Sequence, residues 1–386
     1  MLQGNAIVGQ SGGPTAAINA TLAGVIFGAM QSADIKTLYG ARNGIEGVLN
    51  ENLINLSERT WSHEDIRLLS ATPAAILGSC RHKLSDKNEY ERVVDVFKKY
   101  NIRFFFYIGG NDSMDTVAKL ASYTQACDYE MRVIGIPKTI DNDLCGTHHT
   151  PGYGSAAKFV ATAMQEIIRD AQVYTKPSVT IVEIMGRDAG WLTAAAALAK
   201  PDFVYLPEKK CDVEYVVRDI ENAMAHHPNI VIAVSEGLRD MTGKYISESG
   251  EPDAFGHKML CGTAKRIADI VSEQIGCKTR AIELNVLQRC ASHCASAADI
   301  EESLLLGSAA VNTALHGASG QMMSINHGFE CVPAHDIANR VKQVPLEFIA
   351  KQGNNVTEKC LAYLKPLIQG EAPVYWENGL PKYFQL

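Results

Sequence analysis

The chain has no block or tail of basic residues. Lysine and arginine total 36 against 43 aspartates and glutamates, a formal net charge of −7. That balance excludes the electrostatic footprint of a nucleic-acid binder. Cations for an anionic substrate would have to be gathered locally, against the net charge. Long apolar runs are also missing: stretches such as residues 194–199 are far too short to span a bilayer. Residues 1–10 lack the basic and apolar regions of a secretory signal, so no membrane partner is expected and a cytoplasmic location is. The ten cysteines are scattered and do not form a disulfide frame, which fits a reducing compartment. Cys290, His293 and Cys294 are spaced loosely like half of a metal site, but no second Cys/His pair stands at zinc-finger spacing. The cysteines read as buried or semi-buried thiols. There is no short-period repeat and no low-complexity tract. No G-x-G-x-x-G follows the first apolar run, which argues against a dinucleotide oxidoreductase.

What is present is an ordinary globular composition, 46% hydrophobic and 20% charged, in 386 residues. That length is too great for one usual core and favours two domains. Apolar, β-rich runs recur at residues 5–8, 103–108, 132–136, 179–185, 203–206 and 229–234. The run at 103–108 (RFFFYI) has no alternation, the mark of a strand buried on both faces. Helical patterns follow several of these runs, at 16–30, from after the 109–113 turn to 123, and at 191–199. Strands alternating with helices imply parallel sheets covered on both faces. Ligands in such folds sit beyond the carboxyl ends of the strands, and that is where the glycine-rich turns of this chain fall. Residues 248–256 read as a polar surface loop. Glycine and proline cluster at 146–154, a plausible domain boundary.

Five turns carry candidate chemistry. In Gly12-Gly13-Pro14-Thr15, glycine lets the backbone approach a phosphate at a helix N-terminus, although a plain strand-to-helix turn would use the same residues. Gly109-Gly110-Asn111-Asp112-Ser113 adds side-chain oxygens that suit Mg2+; the same side chains would equally cap the next helix. Pro137-Lys138-Thr139-Ile140-Asp141-Asn142-Asp143 is the most informative. A carboxylate there can take the proton of a hydroxyl nucleophile, a second can orient or serve a metal, and Lys138 can offset charge on a transferring group. The competing reading is a solvated acidic turn with Lys138 paired to Asp141. In Met185-Gly186-Arg187-Asp188, a buried strand delivers Arg187, whose planar fork suits phosphate or hydroxyls; a surface salt bridge is the alternative. In Ser235-Glu236-Gly237, Glu236 would accept bonds from hydroxyls or sit as an acid at a helix N-terminus. Arg81, Arg280 and Arg289 supply further cations.

Taken in order, GGPTAAIN, GSCR, GGNDS, PKTIDND, MGRDAG, SEG and QR resemble the phosphofructokinase family, from Gly12 to about Ile325. The resemblance implies an α/β fold of two similar three-layer domains with mostly parallel sheets. Residues 1–150 with about 288–339 would hold the donor, and residues 151–287 with about 340–386 the sugar phosphate. It implies transfer of a phosphoryl group to the 1-hydroxyl of fructose 6-phosphate with Mg2+, with Asp141 as base and Thr139 and Asp143 beside it. Gly12 would line the donor phosphates and Arg81 would span donor and acceptor. Met185, Gly186, Arg187, Glu236 and Arg289 would bind the sugar phosphate. Arg280 would reach a neighbouring subunit's sugar phosphate, which implies a homodimer or homotetramer. Asp112 and Lys138 stand where ATP-dependent members have glycine, and both are similar to the pyrophosphate-dependent members. A carboxylate at 112 places bulk and negative charge where a nucleotide's α-phosphate would lie. An ATP-dependent sugar kinase and a non-catalytic regulatory subunit are the competing readings, and the intact Lys138, Asp141, Asp143 and Arg187 oppose the second. Departures from the family pattern are Asn111 for the usual aspartate, Val286 for histidine or tyrosine, and Ser178 for a bridging arginine. The last two leave room for another acceptor, such as sedoheptulose 7-phosphate. Residues 340–386 carry no recognisable motif.

Overall fold

The structure is a computed structural model that describes residues 2–246 and 262–386. The polar loop expected at 248–256 lies outside the described residues. Among the described residues the strands assemble into two main sheets. The first draws on β1 (Gly4–Gln10), β2 (Ile35–Ala41), β3 (Leu53–Asn55), β4 (Ile102–Gly109), β5 (Arg132–Pro137), β10 (Gln321–Ile325) and β11 (Phe329–Pro333), in the order β11-β10-β5-β4-β1-β2-β3. The second contains β6 (Ser178–Ile184), β7 (Phe203–Tyr205), β8 (Asn229–Ser235) and β9 (Lys278–Glu283), in the order β7-β8-β6-β9. Within these two sheets all pairings are parallel except β2/β3 and β10/β11. The mixed α/β architecture expected from the alternating pattern is therefore present.

Burial explains the strand sequences. Phe104, Phe105 and Phe106 are all essentially inaccessible, and they alternate between two cores. A strand packed on both faces has no polar side to show. β6 and β8 are likewise almost wholly buried, and their apolar side chains are split between the two faces of the second sheet. The first helix begins at Ile18, two residues later than its pattern implied, because the Thr15 hydroxyl accepts the Ala17 N–H at 3.2 Å and holds a turn there. The helix expected over 191–199 is α-helical only over Trp191–Ala195, then tightens to a 3-10 turn over Ala196–Ala199.

The link between the sheets runs from Pro137 to the helix Tyr153–Ala171. The helix Ala297–Leu315 returns the chain to the first sheet and binds the linker on its way. Its buried Asp299 accepts the N–H groups of Gly152 (2.8 Å) and Ser155 (2.9 Å), capping the helix that leads to the second sheet. A carboxylate at a helix N-terminus also complements the helix dipole.

Candidate active site

The carboxyl ends of β1, β4 and β5 converge because the strands are parallel and in register: Gln10 lies opposite Ile108, and Gly109 opposite Pro137. Each end turns sharply. Gly12 adopts φ +75°, a left-handed value that glycine takes without strain. Its N–H donates to the Cys80 carbonyl at 3.0 Å, and its carbonyl accepts the Ser79 hydroxyl at 2.6 Å. The 78–81 segment is thereby pinned beside the first turn, with Arg81 on it.

The helix Asn111–Ala126 starts from Gly110 without any side-chain cap. Capping was one of two open readings for Asn111 and Asp112, and their side chains do something else. Asp112 is half-exposed and faces Lys83 at 3.5 Å. Asn111 points its amide nitrogen toward Asp143, at 3.5 Å. Its Oδ1 is buried and has no hydrogen-bond partner. Amide N–H groups at an uncapped helix start are available to an anion.

Lys138 occupies the space between these turns. It is 2% exposed, and its Nζ donates to the Gly13 carbonyl at 2.7 Å. Its own N–H donates to the Gly109 carbonyl at 3.0 Å, which locks β5 to the β4 turn. Burial pulls its pKa down to about 8, against the opposing pull of Asp141 and Asp143. The solvated pairing of Lys138 with Asp141 is thus not what forms. Arg289 and Arg81 press on the same ammonium with like charge, so three cations crowd one small volume of a net-negative protein. Asp141 and Asp143 act on the same ammonium with opposite charge.

Asp141 and Asp143 flank Asn142 on the following turn. The Asp141 N–H donates to the Thr139 hydroxyl at 3.0 Å, and that hydroxyl lies 3.4 Å from Asp141 Oδ2. Burial raises the pKa of Asp141, with Lys138 and Thr139 opposing. Asp143 is pushed up to about 7 by burial and by the charge of Asp141. The charge of Asp141 therefore makes Asp143 harder to ionise than burial alone would.

The second sheet contributes its own strand ends. Gly186, after β6, adopts φ +141°. Its N–H donates to Glu236 Oε1 at 3.2 Å, and its carbonyl accepts the Ser235 hydroxyl at 2.6 Å. The Met185 N–H lies 3.4 Å from Gln288 Oε1. Arg187 is near enough to lower the pKa of both Asp141 and Glu236. Burial nevertheless pushes Glu236 up to about 7. The expected residues Gly12, Arg81, Asn111, Lys138, Thr139, Asp141, Asp143, Met185, Gly186, Arg187, Glu236 and Arg289 therefore converge on one cleft between the sheets. Asp112 stands at its outer edge. Arg289 is seated nearer the first sheet than its sugar-binding expectation implied: a methyl group on Gly13 would lie 3.3 Å from its Nη1.

Arg280 is elsewhere. It lies opposite Thr180 on β9, well back from Ile184 where β6 ends, a distance of about 13 Å at the usual strand rise. It pairs with Asp170 at 3.0 Å. Ser178 sits at the same remote end, its hydroxyl bonded by Asn229 Nδ2 at 3.0 Å. Val286 is 46% exposed beside the short helix Leu287–Cys290. Cys290 approaches the Leu287 carbonyl and Cys294 the Thr162 hydroxyl, at 3.8 and 3.7 Å, so the two thiols face different partners. The exposed Cys290 does not meet the expectation of a buried or semi-buried thiol, and the partly buried Cys294 does. Two side chains of the site escaped notice in the sequence. Lys342 and Tyr363 come from the motif-free C-terminal stretch and meet the turn at Asn142.

A divalent metal fits the oxygen set here in a limited way. Among the described residues no group of three or more His, Cys, Asp or Glu side chains converges as a protein-only metal cage. The orphaned Asn111 Oδ1, whose amide nitrogen faces Asp143, is a buried hard oxygen of the kind Mg2+ uses when phosphates and water supply its other ligands.

An uncapped helix start, a buried lysine and two buried carboxylates with raised pKa values, at the strand ends of a two-sheet α/β fold, suit phosphoryl-transfer chemistry. The sequence profile of the family described as Phosphofructokinase matches residues 5–314, and the chain belongs to that family. It is 41% identical to the pyrophosphate–fructose 6-phosphate 1-phosphotransferase of Halomonas elongata, over 100% of this chain and 97% of that one. Two solved structures, of pyrophosphate-dependent phosphofructokinases, are similar throughout. The one from Nitrosospira multiformis is 36% identical with a TM-score of 0.91, covering 99% and 96% of the two chains. The one from Marinobacter aquaeolei is 35% identical with a TM-score of 0.89, covering 98% and 95%.

Proposed function

We propose that this enzyme transfers a phosphoryl group from pyrophosphate to the 1-hydroxyl of fructose 6-phosphate, giving fructose 1,6-bisphosphate and phosphate. The observation that carries the donor reading is Lys138, a lysine buried at 2% exposure against the Gly13 carbonyl, with Asp112 at the outer lip. A buried ammonium at that spot offers charge to a compact, highly anionic donor. The Asp112 carboxylate repels the further phosphate and nucleoside of a longer one. Full-length relatives named as pyrophosphate-dependent support the same reading.

In the reaction, Asp141 accepts the proton of the 1-hydroxyl as the sugar oxygen bonds to phosphorus and the bridging P–O bond breaks. The raised pKa of Asp141 brings its basicity closer to the working pH, which strengthens a general base. Thr139 orients that carboxylate. Lys138, Arg81, the Gly12 turn and the amides at Gly110–Asn111 take up charge on the donor and on the departing phosphate. Met185, Gly186, Arg187, Glu236 and Arg289 hold the sugar phosphate. Mg2+, held through Asn111 and Asp143 with pyrophosphate oxygens, would neutralise donor charge. The position of Arg280 supports its serving the sugar phosphate of a second copy, in a homodimer or homotetramer. Residues 1–150 with about 288–339 form the donor domain, and 151–287 with about 340–386 the sugar domain. A cytoplasmic location belongs to the same reading; no helix among the described residues is long and apolar enough to cross a membrane.

The test is product formation from fructose 6-phosphate, Mg2+ and pyrophosphate, with sedoheptulose 7-phosphate run in parallel. Fructose 1,6-bisphosphate and phosphate in equal amounts are expected. No bisphosphate from pyrophosphate with any sugar phosphate would overturn the assignment.

A further inference from the structure

The turn that carries both carboxylates depends on one residue between them. Asn142 is fully buried and held at φ +53°. That left-handed conformation is uncommon outside glycine, and asparagine tolerates it better than most. Asn142 needs support, and each end of its side chain is tied down. Oδ1 accepts the Thr150 N–H at 3.1 Å and Lys342 Nζ at 3.3 Å. Nδ2 donates to the Tyr363 hydroxyl at 2.8 Å.

Lys342 does more than complete this bond. Its Nζ also donates to the carbonyls of Thr147 (3.1 Å) and His148 (3.0 Å), so one ammonium gathers three oxygens of the 142–148 loop. Its backbone N–H donates to the Asp143 carbonyl at 2.7 Å, beside an antiparallel bridge between Leu144 and Val341. Its own carbonyl accepts the Trp191 indole N–H at 2.8 Å, and its ammonium lies 5.2 Å from the Trp191 ring centroid. Trp191 belongs to the core of the second sheet. Tyr363 repeats the pattern: its hydroxyl donates to the His148 carbonyl at 2.6 Å, and its ring packs on Trp191 at 5.1 Å. The C-terminal stretch thus clamps the turn between the carboxylates to the body of the second sheet.

We propose that Lys342, assisted by Tyr363, is a positioning residue for the reaction: it fixes the Asn142 turn and through it the reach of Asp141 toward the sugar hydroxyl. Neither side chain touches a reacting atom. A three-way ammonium is a strong constraint, since removing it strips one donor from each of three oxygens of the 142–148 loop. The base then loses its register, and about 1 Å of misplacement costs about 10²-fold in rate.

The inference rests on the phosphoryl-transfer reading, so turnover is measured with whichever of pyrophosphate or ATP supports it in the unaltered chain. A wrong donor assignment would then show in the unaltered chain alone. Lys342→Met keeps length and removes charge and donors; Tyr363→Phe removes a single hydroxyl. Steady-state kinetics are read together with calorimetric titration by fructose 6-phosphate, which counts competent sites. For Lys342→Met, kcat should fall about 30- to 100-fold, with KM for the sugar within about threefold and binding stoichiometry unchanged. Tyr363→Phe should lower kcat about 3- to 10-fold in the same manner, and it decides the matter alone if Lys342→Met does not fold. A kcat within about twofold of the unaltered chain would overturn the proposal. So would a kcat that falls in proportion to the number of binding sites, which would mark a purely structural role.

Discussion

Replacing Lys138 with methionine should separate stability from activity in opposite directions. The ammonium is 2% exposed, and burial lowers its pKa from 10.5 to about 8. A shift of that size corresponds to about 3 kcal/mol spent on carrying the charge in the fold. The folded-state pKa lies below the unfolded one. The penalty is therefore fully present below pH ~8, fades as pH rises, and is gone above pH ~10.5. Methionine removes it but leaves the Gly13 carbonyl without its 2.7 Å donor, which costs about 1–3 kcal/mol. The net change at neutral pH is a gain of about 0–2 kcal/mol in the ligand-free protein. Activity should move the other way. Losing one preorganised charge at the transferring group costs about 10²–10³-fold in kcat, by analogy with an oxyanion donor. The assay pairs thermal unfolding of the ligand-free variant with pyrophosphate-dependent turnover. An unfolding midpoint at or above that of the unaltered chain, with turnover down at least about 100-fold, is the expected outcome. A midpoint lowered by several degrees with turnover retained would show that Lys138 is a structural cation, and would refute the reasoning.

Three further outcomes follow from the same geometry. Asp141→Asn should lower kcat about 10²–10⁴-fold while fructose 6-phosphate still binds, as equilibrium titration would show. Replacing both Asp112 and Lys138 with glycine should loosen the exclusion of nucleotides, read as ATP binding or ATP-dependent turnover absent in the unaltered chain. Raising the pH through about 8 should lower kcat/KM for pyrophosphate as free Lys138 loses its proton, a limb that Lys138→Met should lack in a pH–rate profile.

Much of this site can be read in the sequence because its residues sit on short segments at strand ends. β4 announces itself by an unbroken apolar run, since both of its faces are buried. The turns after β1, β4, β5, β6 and β8 follow from glycine and polar residues placed directly after such runs. Competition between local roles is less legible. Asn111 and Asp112 would serve as caps in isolation, and only the folded chain shows Asn111 turned toward Asp143 and Asp112 toward Lys83. The pull of Arg289 toward Gly13 is tertiary as well. Lys342 and Tyr363 were invisible for a plain reason. They contact Asn142 across about two hundred residues of chain. Nothing in their own surroundings distinguishes them from any lysine or tyrosine on a surface.

A buried cation at 138 and a carboxylate at 112 together should commit the donor site to pyrophosphate. The most direct measurement is kcat/KM for pyrophosphate and for ATP on one preparation, at a single saturating level of fructose 6-phosphate and Mg2+. Pyrophosphate should be preferred by at least about 10³-fold, equivalent to about 4 kcal/mol of discrimination. Equal or faster turnover with ATP would contradict it.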